Sequence, residues 1–264
     1  MIRNPCVQRG FTLIELVVVI VIIGILAALL IPSVLYGKFR SRVSTCTNNY
    51  RQIALAAIMY SGEDSMGRLP SFELPTESTQ IKGFGNLPPW ITGLPMLKAM
   101  EAHGIAQPQM WYCPLRKRGK DASIAFQAEF GRPMTTIHDL SRYFTDYQGA
   151  KYTFLDLNWW VPRRLEGAPT VTVPSQSMNP TRLNAPWPTK LDDMTISTRP
   201  IVSDWMSGSK QPSGDGFLEA SGAHAYGGKI RNCNSGYADG HVETRSAIDI
   251  KWELQLSEES YIFY

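Results

Sequence analysis

The four cysteines, Cys6, Cys46, Cys113 and Cys233, contain no C-x-x-C pair. That absence argues against zinc ribbons and thioredoxin-type redox motifs. Nucleophile and metallohydrolase signatures such as G-x-S-x-G and H-E-x-x-H are also missing, so nothing in the motif content points to an enzyme. No βαβ alternation occurs, which excludes a doubly wound parallel sheet. Charge is scarce: Asp, Glu, Lys and Arg make up 19% of the 264 residues while aromatics reach 11%. Such a chain has the means to build a core and does not resemble a disordered one. The formal net charge of +3 falls to about +1 once Arg3 and Arg9 are set aside as a leader. Nothing in that balance calls for a nucleic-acid partner.

What the chain does have is one long apolar run. Phe11 to Ile31 reads FTLIELVVVIVIIGILAALLI, 21 residues interrupted by Thr12, Glu15 and Gly24. At ~1.5 Å per residue a helix of this length reaches roughly 31 Å, matching the ~30 Å hydrocarbon core of a bilayer. A core helix of a soluble protein would carry a polar stripe, and this segment is apolar all round. An ordinary secretory signal peptide has a shorter apolar region with a small-residue cleavage site after it. Here Gly10 stands before the run, and Glu15 lies inside it, where a carboxylate costs about 2.5–3.5 kcal/mol near the centre of a bilayer on insertion scales.

The segment RGFTLIELVVVIVIIGILAALLIPS resembles the signature of type IV pilins and type II secretion pseudopilins. That resemblance implies a leader at residues 1–10, cut after Gly10 by a prepilin peptidase, with N-methylation of the new terminus at Phe11. It implies that Glu15, at the fifth mature position, acts in assembly with Phe11 and the kink-forming Pro32. The physical logic is charge pairing: the new Phe11 amine at the membrane edge can pair with Glu15 of a neighbouring copy. An unpaired buried charge then drives docking into one axial register. The alternative is that Glu15 snorkels to the headgroups. Arg3 and Arg9 favour a cytoplasmic N-terminus, but Lys38, Arg40 and Arg42 follow the span, so charge counting does not decide orientation. The resemblance implies a single-pass inner-membrane protein with its head in the periplasm. Its implied partners are the peptidase, an inner-membrane assembly platform, other pseudopilins and further copies of itself.

The expected fold is α+β. A helix spanning 11–62, transmembrane over 11–31, packs on an antiparallel sheet in a head of residues 63–264. Beyond Pro32, Val34, Leu35, Phe39, Val43, Cys46, Tyr50, Ile53, Ala54, Ala57 and Ile58 recur at helical spacing and need a covering partner. Residues 63–110 read as loop with a short helix at Leu94–Ala102. Short β-like runs follow at Lys151–Leu157, Thr170–Val173, Arg199–Ser203, Ser235–Ala238 and His241–Arg245. Asp239-Gly240 between alternating residues predicts a two-residue hairpin turn. The basic run Arg116-Lys117-Arg118-Gly119-Lys120 reads as a solvated loop. Trp159, Trp160 and Trp187 read as core rather than as a carbohydrate-binding surface.

Cys46-Thr47-Asn48-Asn49-Tyr50 and Trp111-Tyr112-Cys113-Pro114 resemble the large pilin-like proteins of planctomycetes and verrucomicrobia. So does Tyr237-Ala238-Asp239-Gly240, except that those families place a histidine ten residues before the aspartate. Here His224 stands fifteen before Asp239, so either an insertion within Tyr226–Arg231 lengthens the loop or His224 is unrelated to that motif. The preferred disulfide is Cys46–Cys113, with Cys113–Cys233 its rival and free buried thiols the third reading. Asp204, His224, Asp239 and His241 form a candidate metal set. Calcium is the ion that the resemblance to pseudopilins implies, although no oxygen-rich calcium loop is present. The function implied is a structural subunit of a secretion pseudopilus. The alternatives are a type IV pilus subunit used for adhesion, and a ligand-binding head displayed on a pilin stem. Mass spectrometry of the mature N-terminus is expected to find methylated Phe11; a start near Pro32 would show an ordinary signal peptide instead.

Overall fold

The computed structural model describes residues 12–75, 89–166, 168–174, 186–208, 220–250, 252–257 and 260–263. Gly10 and Phe11 lie outside them. Helix α1 runs Leu13–Glu63 and continues through Pro32. The residues fall into two compact units, one ending at Ser41 and the other starting at Arg42.

In the first unit the large apolar side chains from Leu13 to Ile31 are all exposed, Val17 the least at 42% and Leu13 the most at 80%. The helix saturates its own backbone, the requirement for crossing a bilayer. It is the one helix among the described residues long and apolar enough to do so.

In the second unit α1 changes character. Cys46, Tyr50, Ile53, Ala54, Ala56 and Ala57 are buried in the main core with Leu157, Trp159, Ile201 and Val202. Among the described residues three shorter α-helices follow, α2 (Leu94–Ala102), α3 (Arg118–Phe130) and α4 (Ile137–Arg142). The expected bounds of α2 agree with those observed. Helix α3 corrects the expected basic loop. It contains Arg118, Gly119 and Lys120 and ends on Gly131 in the left-handed conformation, whose N–H caps Gln127 O. Gly119 permits this helix, because a Cβ there would meet Tyr112 Cβ at 2.6 Å.

The strands are β1 (Ile91–Gly93), β2 (Tyr152–Phe154), β3 (Leu157–Trp159), β4 (Arg163–Leu165), β5 (Ala168–Val173), β6 (Pro200–Asp204), β7 (Met206–Gly208), β8 (Ala220–Gly222), β9 (His224–Tyr226), β10 (Lys229–Tyr237), β11 (Val242–Ser246), β12 (Trp252–Ser257) and β13 (Ser260–Phe263). Every ladder between them is antiparallel. The central sheet has the order β11-β10-β6-β3. Strand β9 also pairs with β10, with His224 opposite Asn232, while β6 places Ser203 opposite Ser235. Strand β10 pairs with β11 along Asn232–Gly236 on its other side, so β6 and β9 share one edge of β10 in tandem. That arrangement sets Asp204 and His224 side by side.

The turn at Asp239-Gly240 differs from expectation. Tyr237 N–H donates to His241 O, and Gly240 N–H donates to Tyr237 O. The loop is therefore three residues, Ala238 to Gly240. Only Gly240 has positive φ (89°), so a type I turn closes through one left-handed glycine. Asp239 instead accepts from His241 N–H. Trp159, Trp160 and Trp187 are buried in the head, as read from the sequence.

At Gly236 the sheet passes close to α1. A Cβ there would lie 2.9 Å from Val202 Cγ1 and 3.3 Å from Tyr50 O. Val202 is β-branched and buried, so it has little room to yield. Gly236→Val is expected to destabilise the chain by about 1–3 kcal/mol through overpacking. Denaturant titration of the full chain in detergent measures it; an unchanged midpoint would refute close helix–sheet contact.

Candidate functional site

At the start of α1, Thr12 and Glu15 form a reciprocal cap. Glu15 Oε2 accepts from Thr12 N–H at 2.9 Å and from Thr12 Oγ1 at 2.7 Å, and Glu15 N–H donates to Thr12 Oγ1 at 3.3 Å. This T-x-x-E capping box was readable in the sequence and gives Glu15 a local role besides the expected one. Both Thr12 bonds fall on Oε2, and Oε1 has no hydrogen bond among the described residues.

The head contains a second polar cluster. Asp204 ends β6, His224 begins β9, Cys46 lies on α1, and Cys113 precedes Pro114 ahead of α3. All four are buried, and one ligand atom from each lies within 4.8 Å of the others. Asp204 Oδ1 accepts from Tyr50 Oη at 2.8 Å and from the Cys46 thiol at 3.4 Å. Asp204 Oδ2 accepts from Asn234 N–H at 2.6 Å and lies 3.2 Å from His224 Nε2. The other imidazole nitrogen, Nδ1, is 2.7 Å from Asn232 Oδ1. That amide oxygen can only accept, so Nδ1 carries a proton.

The backbone before His224 explains its aim. Gly222 has φ 108° and Ala223 φ 45°, the one non-glycine residue with positive φ among the described residues. A Cβ at Gly222 would meet Trp205 O at 2.2 Å. The chain thus turns sharply against Trp205 and delivers His224 beside Asp204, the kind of strain that the surroundings must hold in place.

The electrostatics follow from burial and proximity. Burial by itself would lower the His224 pKa, but Asp204 and then Cys113 outweigh it and raise it to about 11. Burial would raise Asp204, yet His224, Asn234 N–H and Tyr50 hold it below the usual carboxylate value. Cys113 is lowered to about 7, first by its contact with Cys46 and, against burial, by His224. Cys46 moves upward, driven by Cys113, then burial, then Asp204. Tyr50 moves upward because it is buried next to the Asp204 charge. A second buried carboxylate, Asp156, lies 3.2 Å from Arg116 Nη1 and 3.6 Å from Arg118 Nε. Both guanidinium groups stand over the Trp205 ring, at 4.2 and 5.5 Å from its centroid. Two members of the basic run therefore pair and stack inside the head.

The structure redistributes the expected site residues. Asp204 and His224 come together. Asp239 and His241 pair with each other at the β10–β11 turn and do not join the cluster. Their place is taken by Cys46 and Cys113, which are neighbours but free thiols. Cys233 is also free and sits in a separate apolar cluster with Met206, Ala223 and Ile250. Tyr50, Asn232 and Asn234 were missed. Tyr50 was assigned to the core by spacing, and the two asparagines gain meaning only from the tandem pairing along β10. The order Cys113, His224, Asn232 superficially suits a thiol nucleophile. However, Asp204 lies against the imidazole nitrogen that would take the thiol proton, and Cys113 is 4% exposed.

Residues 6–31 match the family model described as the prokaryotic N-terminal methylation motif. The chain is 35% identical over 97 residues to type II secretion system core protein G of Pseudomonas aeruginosa, covering 37% of this chain and 61% of that protein. It is 38% identical over 66 residues to the protein of that name from Pectobacterium carotovorum, covering 25% and 41% of the two chains. For the one from Klebsiella michiganensis the identity is 39% over 66 residues, covering 25% and 45%. The matches thus span 41–61% of the length of these curated relatives. No solved structure matches the chain. Its long N-terminal helix followed by an antiparallel β-sheet head is a pilin-like α+β architecture. The chain is thus similar to methylated N-terminal segments over residues 6–31 and to type II secretion system core protein G over 25–37% of its length.

Proposed function

We propose that this chain is a structural subunit of a type II secretion pseudopilus, cut between Gly10 and Phe11, N-methylated at Phe11, and polymerised through the first part of α1. The observation that carries the reading is a single carboxylate, Glu15, at the start of a helix whose apolar side chains are uncovered up to Ile31. Lipid covers such a surface in the monomer. Helices of other copies cover it in a filament, where packing rather than hydrophobicity drives association. The carboxylate then selects the register. Its Oε2 is engaged by Thr12, and Oε1 is available to the Phe11 amine of an adjacent copy.

In this reading the N-terminus faces the cytoplasm, where the prepilin peptidase acts, and the head lies in the periplasm. The inner-membrane assembly platform adds subunits, and other pseudopilins join the filament. The role is mechanical and the chain performs no chemistry of its own. Its likeness to core protein G subunits and its methylation motif support the secretion reading.

Replacement of Glu15 tests it. Glu15→Ala and Glu15→Gln are both expected to insert in the membrane and to be cleaved normally. Each should lower secretion of a reporter exoprotein by about tenfold or more, because the charge that selects the subunit register is lost. Gln keeps the size and hydrogen-bonding capacity of Glu, so equal damage by both identifies charge as the requirement. Normal secretion by both correctly cleaved variants would overturn the mechanism. Intact secretion with loss of a surface fibre would assign the chain to a type IV pilus instead.

A further inference from the structure

We propose that Cys46, Cys113, Asp204 and His224 bind one tetrahedral zinc ion that clamps α1 to the head. This site is independent of the assembly role of Glu15.

The donor set fits the ion. Two thiol sulfurs, an imidazole nitrogen and a carboxylate oxygen make up a complete four-ligand shell for zinc, and soft thiolates disfavour calcium and magnesium. From metal–ligand lengths of about 2.0–2.3 Å, a tetrahedral site has sulfur–oxygen edges near 3.5 Å and nitrogen–oxygen edges near 3.3 Å. The corresponding separations are 3.4 Å from Cys46 Sγ to Asp204 Oδ1 and 3.2 Å from His224 Nε2 to Asp204 Oδ2. Every other pair of ligand atoms is within 4.8 Å. The two measured edges fall on different oxygens of one carboxylate, so an ion takes one oxygen or sits astride both.

The surroundings match those of a metal site. A zinc-bound histidine typically donates its other ring N–H to a carbonyl or carboxylate, which fixes its tautomer. Here Nδ1–H is held by Asn232 Oδ1. The remaining nitrogen, Nε2, is buried without a well-aligned hydrogen bond despite its closeness to Asp204. Asp204 is likewise held from behind by Tyr50 Oη and Asn234 N–H. Without an ion, thiol and imidazole protons hold the space among these groups, as where the Cys46 thiol donates to Asp204 Oδ1 at 3.4 Å. A metal ion replaces these protons and satisfies all four groups at once. With four protein ligands and no open position, the site is structural. Its ligands come from α1, the segment before α3, β6 and β9, so the ion joins parts of the chain up to 178 residues apart.

The test uses the full-length processed chain, extracted in detergent from membranes of the producing cell with no reductant or chelator. Elemental analysis should find one equivalent of zinc. Cys46 and Cys113 should resist alkylation until a chelator is added. Cobalt exchanged into the site should give the intense visible bands of a tetrahedral thiolate complex. Cys113→Ser and His224→Gln should each lower metal content at least tenfold. Asn232→Ala keeps all four ligands and should weaken zinc affinity roughly 10–100-fold by freeing the imidazole. If the ligand variants fail to fold, the wild-type metal content and thiol protection still decide. A metal-free chain overturns the proposal, whether its two thiols alkylate freely or mass mapping finds a Cys46–Cys113 disulfide. So does calcium in place of zinc.

Discussion

The Asp204 carboxylate is the interaction on which the head depends. It is 1% exposed, and taking such a charge out of water costs several kcal/mol unless donors replace the lost solvent. Three donors converge on it, Tyr50 Oη and the Cys46 thiol from α1 and Asn234 N–H from β10, and the His224 imidazole of β9 lies 3.2 Å away. Each of these elements supplies part of what replaces the lost solvent around the charge. The carboxylate therefore ties the order of assembly to a single arrangement, in which α1 lies on the sheet at the level of Tyr50 and β9 continues the edge that β6 begins. Asn234 reinforces the same junction, since its side chain donates to Thr47 Oγ1 on α1 and accepts from Thr244 Oγ1 on β11.

Helix α1 answers to two solvents in succession. Up to Ile31 its surface is leucine, isoleucine and valine on every side, which suits lipid, and its backbone bonds are internal. From Arg42 onward it has a buried face and a wet face, and the buried face sets small residues beside Val43, Tyr50 and Ile53. Ala54, Ala56 and Ala57 are fully buried, and Ala54 Cβ stands 3.7 Å from where a Cβ at Gly236 would lie. Small side chains on both surfaces bring two backbones together and put the polar groups of Asp204 and Tyr50 within reach of each other.

Much of the fold was legible because its signals are local. Residues 94–102 read as a helix from their pattern, and the paired residues of β6 and β11 lie close to the runs chosen for them. Helix α3 was not legible. Its charged start and Gly119 look like loop, and only Asp156 and Trp205, distant in sequence, give Arg116 and Arg118 a buried carboxylate to pair with and a ring to stack on. The Asp239-Gly240 turn was located correctly but given the wrong length, because a dipeptide signals a turn without stating which flanking pair closes it. Val34 and Leu35 belong to the apolar stripe that needs a covering partner and are 44% and 53% exposed, since periodicity marks the stripe without saying what covers it.

The sequence alone determined the apolar run of membrane-spanning length, the carboxylate within it, the T-x-x-E cap and the α+β class. Each depends on residues within a few positions of one another, where helix geometry and burial cost act directly. The head cluster was decided by tertiary structure. Reading along the chain grouped Asp204 and His224 with Asp239 and His241, and grouped Cys46 with Cys113. The tandem pairing of β6 and β9 on β10 instead brings Asp204 and His224 to the whole Cys46–Cys113 pair and leaves Asp239 and His241 outside. Sheet register is a relation between segments far apart in the chain, so only the folded molecule brings these four side chains to one point.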